Sequence, residues 1–171
     1  MKRIIGYTLL ILQIIFLAVV VFQLEAIDKD SEEITLLTSQ NDYFYDEEYF
    51  LMDDMYVEYD VNKVKVSAWE IEEELSANHP VFVTLTKNDE GLHEVKMVTK
   101  KKPKQVEAEE VVVKAKYGYK DDVAGYYYVT YGFESLQNVE EFGSFKMKEQ
   151  LRITILIGKW NQYKLSDIEA E

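Results

Sequence analysis

Val81-Phe82-Val83-Thr84-Leu85-Thr86-Lys87-Asn88-Asp89-Glu90-Gly91-Leu92-His93-Glu94-Val95-Lys96-Met97-Val98 reads as a β-hairpin. β-Branched and aromatic residues run into a polar turn at Asn88 to Gly91, Gly91 can take the positive φ that such a turn needs, and His93 to Val98 runs back. The same grammar extends in both directions. Upstream, Met55, Val57, Tyr59 and Val61 alternate with Tyr56, Glu58 and Asp60, the period-two pattern of a half-buried strand that should continue or bend through Val64 and Val66. Between that strand and the hairpin, Ser67 to Leu75 predicts a short helix with Ser67 as N-cap and Glu70 placed for a capping box, and Pro80 marks its far side.

Downstream, a basic loop from Lys100 to Lys104, broken by Pro103, leads into Glu109 to Tyr119. Val111, Val112, Val113 and Ala115 are too apolar for an exposed edge, so this run predicts a central strand. Asp121-Asp122 turns the chain into Gly125 to Tyr131, whose tyrosines point both ways and predict burial on both faces. A last hairpin follows: Leu151 to Ile157, the turn Gly158-Lys159-Trp160-Asn161, and Gln162 to Ile168. Strands recurring at this spacing predict a mainly β fold, an antiparallel β-barrel or sandwich-like domain with one short helix.

Residues 4–24, IIGYTLLILQIIFLAVVVFQL, are 21 consecutive residues without a charge, preceded by Lys2 and Arg3. A helix of that length reaches about 30 Å, the hydrocarbon thickness of a bilayer, and the flanking basic pair predicts a cytoplasmic amino terminus. The run is too long for the usual cleaved signal, and the one candidate cleavage site, Leu24-Glu25-Ala26, fails at Leu24. The expected organisation is a cytoplasmic tip and transmembrane helix over 1–24, an acidic linker over 25–33 and an extracytoplasmic β-rich domain over 34–171. Without cysteine the chain has no lipoprotein anchor, disulfide or thiolate metal site.

All 32 acidic residues but only 17 of the 19 basic ones follow the apolar run, leaving that part of the chain at minus 15. Such a field repels polyanions and anionic membrane surfaces, apart from the local action of Lys100, Lys101, Lys102 and Lys104, so nucleic acid is not an expected partner. Thirteen tyrosines and eight phenylalanines indicate a folded, aromatic-rich domain rather than a disordered tail.

Three stretches taken in order resemble the membrane-anchored bacterial family named for its GDYXXLXY motif. In Tyr49 to Val61, Asp53 falls on the motif's aspartate and Tyr59 on its final tyrosine, with Met52, Asp54 and Val57 at the glycine, first tyrosine and leucine positions. Pro80 to Leu85, the Gly91 hairpin and Lys102-Pro103 are similar to the family's strand, turn and strand ending near a proline. Val129-Thr130-Tyr131-Gly132-Phe133-Glu134-Ser135, with Glu140 or Glu141 downstream, resembles its Y-G-I-E segment and later glutamate. The resemblance implies no assigned activity. It implies a single-pass protein encoded beside a larger multi-pass membrane protein, and hence an assembly role.

The candidate binding residues are therefore Asp53, Tyr59, Tyr131, Glu134 and Glu140, and the interleaved Tyr43, Phe44 and Phe50 are a candidate partner surface. Asp53 and Glu134 invite comparison with an acid/base carboxylate pair, but buried carboxylates more often serve structure. The acidic run Asp42, Asp46, Glu47, Glu48, Asp53 and Asp54 lacks the spacing of a calcium loop, and His79 and His93, expected at the surface, are too few for zinc without carboxylates. No catalytic residue, metal or cofactor is expected. The sequence predicts a single-pass binding or assembly module of the bacterial cell envelope, partnered by the lipid bilayer and a multi-pass membrane protein. The alternative is a membrane-tethered hydrolase using carboxylates or a serine, Ser31 or Ser39. The Lys100 to Lys104 loop is a place where polyanions or lipid headgroups could be met.

Overall fold

The computed structural model describes residues 2–39, 54–137, 139 and 150–171. The chain is mainly β. One N-terminal helix, α1 (Lys2–Asp30), is followed by a nearly closed five-stranded antiparallel barrel and two small sheets. The strands are β1 (Glu32–Leu37), β2 (Asp54–Tyr56), β3 (Lys63–Lys65), β4 (Pro80–Lys87), β5 (His93–Thr99), β6 (Glu110–Asp121), β7 (Tyr126–Thr130), β8 (Ser135–Gln137), β9 (Leu151–Ile157) and β10 (Tyr163–Ala170).

The barrel strands lie in the order β3-β7-β6-β4-β5, so the run expected as a central strand, β6, is central. Val83 stands opposite Val113 on one side and Val98 on the other, and all three are buried. The two edges come together through the segment after β3. A 3-10 turn at Val66–Ala68 carries Trp69 to the outer edge of β5, where it pairs with Val98 and the Glu70 N–H donates to the Val98 carbonyl at 3.1 Å.

That contact overturns the helix expected over Ser67 to Leu75. A helix of nine residues is marginal by itself. The competing arrangement stacks the Trp69 indole on the Tyr127 ring, centroids 4.1 Å apart and nearly parallel, and buries Ile71. Aromatic burial and a strand hydrogen bond outweigh one short turn of helix. The tyrosines of β7 are half-buried rather than buried on both faces, with Tyr128 stacked on Tyr119 and Val129 buried.

β1, β9 and β10 form the second sheet, in the order β1-β9-β10. Strict alternation along β9 puts Leu151, Ile153, Ile155 and Ile157 on the inner face, opposite Ile34 and Leu36 of β1. These join Val64, Val81, Val83, Val113 and Val129 of the barrel in one hydrophobic core. Residues 25–33, expected as a linker, are the last turns of α1 and the start of β1, with Ser31 alone between helix and strand.

The expectation of a transmembrane helix is not met on the described residues: no helix among them is long and apolar enough to cross a membrane. The consecutive side chains described within α1 run from Leu9 to Val21, about 20 Å of helix against about 30 Å of hydrocarbon. Their exposure is nevertheless unusual. Leu9, Leu10, Ile11, Leu12, Ile14 and Ile15 successively cover every face of the helix and are each 56 to 64% exposed.

His93 is buried, not at the surface as expected, because it ties the two sheets together. Its Nδ1 accepts the Thr35 N–H of β1 at 3.0 Å. Burial first, then the Lys87 ammonium, push its pKa below the usual histidine range, against the opposing pull of Glu33. Only neutral imidazole offers that lone pair. A folded-state pKa below the unfolded value of about 6.5 gives stability that is complete above that pH and is lost as pH falls through the folded pKa. The melting temperature is expected to fall between pH 7 and 5, and less so in His93→Gln, which keeps an acceptor but does not titrate. Identical slopes in the two proteins would remove His93 from this role.

Candidate functional site

Strand pairing dictates where the site lies. β3 pairs with β7 and β2 pairs with β8, all antiparallel, so the connection from β2 to β3 and the connection from β7 to β8 must run side by side. The first contains Tyr59-Asp60-Val61-Asn62 and the second Tyr131-Gly132-Phe133-Glu134.

Gly132 sets the geometry of the second segment. Its φ is +96°, and a Cβ placed there would meet nothing within 4 Å, so the glycine serves backbone conformation rather than space. With the chain turned in this way, the Tyr131 and Gly132 N–H groups both donate to the Glu134 carboxylate, at 2.6 Å to Oε1 and 2.7 Å to Oε2. A third donor, Asn62 Nδ2, reaches Oε1 at 3.0 Å. Glu134 is only 4% exposed, and its own carbonyl accepts the Val57 N–H at 2.8 Å.

Asn62 is fully buried and works in three directions. Besides Glu134, its Nδ2 donates to the Val129 carbonyl at 2.7 Å, while its Oδ1 accepts the Tyr59 N–H at 2.7 Å. The two tyrosines then cross. Tyr59 Oη donates to the Phe133 carbonyl at 3.1 Å, and Tyr131 Oη donates to the Val61 carbonyl at 2.8 Å. Each phenol thus caps a carbonyl in the other's segment. Phe133 sits between them, edge-on to Tyr59 at 5.7 Å and stacked on Tyr131 at 5.1 Å.

The electrostatics keep both phenols as donors. Burial and then the Glu134 charge push Tyr131 well above the usual tyrosine range; the same two causes, with a smaller contribution from Tyr163, act on Tyr59. A phenol that does not ionise near neutral pH, held to a backbone carbonyl, is a clamp rather than a base. Glu134 is equally committed, since three of its roughly four acceptor positions are filled.

Of the residues singled out in the sequence, Tyr59, Tyr131 and Glu134 are therefore brought together. Asp53, Glu140, Tyr43, Phe44 and Phe50 lie outside the described residues, as does the acidic run from Asp42 to Asp53. Among the described residues no group of three or more His, Asp or Glu side chains is arranged to hold a metal ion. The Ser39 hydroxyl donates to Asp60 Oδ1 at 2.9 Å. Sequence reasoning missed Asn62. Read as a continuation of the strand alternation it falls on the polar, outward face, and only the 3-10 turn at Asp60–Asn62 rotates it inward.

Comparison with known proteins finds no family model, no curated protein and no solved structure that matches this chain.

Two substitutions separate backbone from hydrogen bonding in this clamp. Gly132→Ala is expected to cost about 1–2 kcal/mol, the penalty for an L-residue at positive φ with no clash to add. Asn62→Ala leaves three buried groups each short of a partner and is expected to cost about 3 kcal/mol. Denaturant unfolding of the purified protein measures both, and an Asn62→Ala cost below that of Gly132→Ala would contradict the assignment.

Proposed function

We propose that the protein is a single-pass, membrane-anchored component of the bacterial cell envelope, whose β-domain works outside the cytoplasm as a non-catalytic binding or assembly module. Its partners are the lipid bilayer and a multi-pass membrane protein. The observation that carries this reading is the all-round exposure of apolar side chains along α1 from Leu9 to Val21. A helix facing water would show a polar stripe, and a helix packed on its own domain would bury one face; this one does neither. In the sequence the apolar run continues on both sides of the described side chains to a total of 21 residues, and over that full length it reaches about 30 Å.

An assembly role draws support from the resemblance of residues 49–61, 80–103 and 129–135 to the GDYXXLXY family. The clamp bears on the hydrolase alternative. Glu134, the carboxylate best placed by sequence for acid/base work, spends its oxygens on Tyr131, Gly132 and Asn62. Net charge of minus 13 disfavours nucleic acid.

The absence of cysteine makes the topology directly testable. Val123, fully exposed in the β6–β7 turn, is replaced by Cys and treated in intact cells with a membrane-impermeant maleimide. Labelling without lysis is the expected result, and labelling only after lysis would overturn the extracytoplasmic placement. Leu12→Arg with Ile15→Arg, each costing about 2.5–3.5 kcal/mol at the centre of a span, is expected to release the protein from alkali-washed membranes. Cross-linking in native membranes is expected to recover one stoichiometric membrane protein, and recovery of none would refute the assembly role.

A further inference from the structure

We infer that a cleft beside the end of α1 receives the phosphate of an anionic lipid headgroup. The inference rests on the membrane-anchored reading and assigns the surface through which the domain meets the bilayer. The cleft has a volume of about 420 Å³ and lies where the β9–β10 turn passes over β6 and the start of β1. Lys102, Lys114 and Lys159 line it together with the Trp160 and Phe82 rings.

Its charge is opposite to that of the chain as a whole. Lys159 is paired with Asp30 at 2.9 Å. The ammonium groups of Lys102 and Lys114 have no carboxylate partner among the described residues, and the remaining acidic group at the cleft is Glu32. Two free cations against one carboxylate make the site locally cationic on a protein of net charge minus 13. In an acidic protein, such a concentration of lysines favours an anion over a neutral ligand.

The cleft is also built rather than incidental. Asn161, at a φ of +60°, closes the turn by donating its N–H to the Gly158 carbonyl at 2.9 Å. Its side-chain Oδ1 accepts the Lys114 N–H at 3.1 Å, which fixes the turn against β6 and holds Trp160 at the rim, 56% exposed.

Position selects a lipid as the source of the anion. α1 continues without a break from Leu24 to Asp30, which lines the cleft. Six helical residues rise about 9 Å, which carries the end of α1 from the hydrocarbon boundary to the outer edge of a headgroup layer roughly 5–8 Å deep. With residues 4–24 in the hydrocarbon, the cleft opens at the level of the lipid phosphates. An exposed tryptophan flanked by lysines is the side-chain pattern of that layer.

The test uses the full-length protein in phosphatidylcholine vesicles with and without phosphatidylglycerol, carrying a quencher on the headgroup. The Trp160 signal is the difference between the native protein and Trp160→Phe. Quenching is expected to rise about twofold with phosphatidylglycerol. Lys102→Gln with Lys114→Gln is expected to abolish the rise, and Lys65→Gln, which removes one charge from β3, to leave it intact. Near-UV circular dichroism verifies that each variant is folded. Flotation after an alkaline wash reads the anchor separately: protein that leaves the vesicles refutes the membrane reading itself. Protein that floats but shows equal quenching in both vesicles overturns the headgroup site alone. If inorganic phosphate, where chloride has no effect, shifts the Trp160 emission in quencher-free phosphatidylcholine vesicles while phosphatidylglycerol gives no rise in quenching, the cleft takes free phosphate and the lipid assignment is wrong.

Discussion

The Glu134 carboxylate, buried and bonded to three N–H donors, is the constraint on which the middle of this structure depends. Taking a carboxylate out of water costs several kcal/mol, and only donors already in place offset it, at roughly 1.5–3 kcal/mol for each charge-assisted bond. Two of the donors are backbone groups that converge because Gly132 takes a positive φ. The third comes from Asn62, on a segment 72 residues away in sequence. Without the Gly132 turn the donors would diverge, and without Asn62 the buried carboxylate would lose its donor from the segment before β3.

The clamp sits where the strand pairs β3–β7 and β2–β8 separate, a place where ladder hydrogen bonds run out. The carbonyls of Val61 and Phe133 would be left unpaired there, and the two crossed tyrosines supply their donors. His93 solves a similar problem elsewhere. The free edge of β1 presents the Thr35 N–H toward the barrel, and an imidazole nitrogen on β5 accepts it. Polar groups at the seams between sheets are thus satisfied by side chains rather than by further strands, which lets small sheets share one core without a long continuous ladder.

What was legible in the sequence was local. The turn at Asn88 to Gly91 and the turn at Gly158 to Asn161 are fixed by residues within a few positions of one another, and both hairpins are present as β4–β5 and β9–β10. The apolar run of β6, which marked it as a central strand, was readable for the same reason. Glu134 was legible through the Tyr131-Gly132-Phe133-Glu134 pattern, although its donors were not. What depended on distant partners was misread. Trp69 looked helix-compatible until Tyr127 and Val98 are seen beside it. Asn62 drew no notice and His93 looked like an exposed hairpin position, because nothing within five residues of either reveals Glu134 or Thr35.

The missed linker carries the strongest consequence for how the molecule works. A tethered domain on a flexible acidic segment would sample many orientations, and no face of it would keep a defined relation to α1. Here Ser31 alone separates α1 from β1, Ile27 of the helix is buried, and Lys159 holds Asp30 across the junction. Helix, first strand and the β9–β10 turn are therefore one unit, and whatever fixes the direction of α1 fixes the direction of the domain. Because β9 is central in the sheet that α1 runs into, an orientation set at the helix passes through β1 and β9 to the core shared with the barrel. A surface on the barrel is thereby held at a fixed angle to the helix, which would lower the entropy lost by any partner that contacts both.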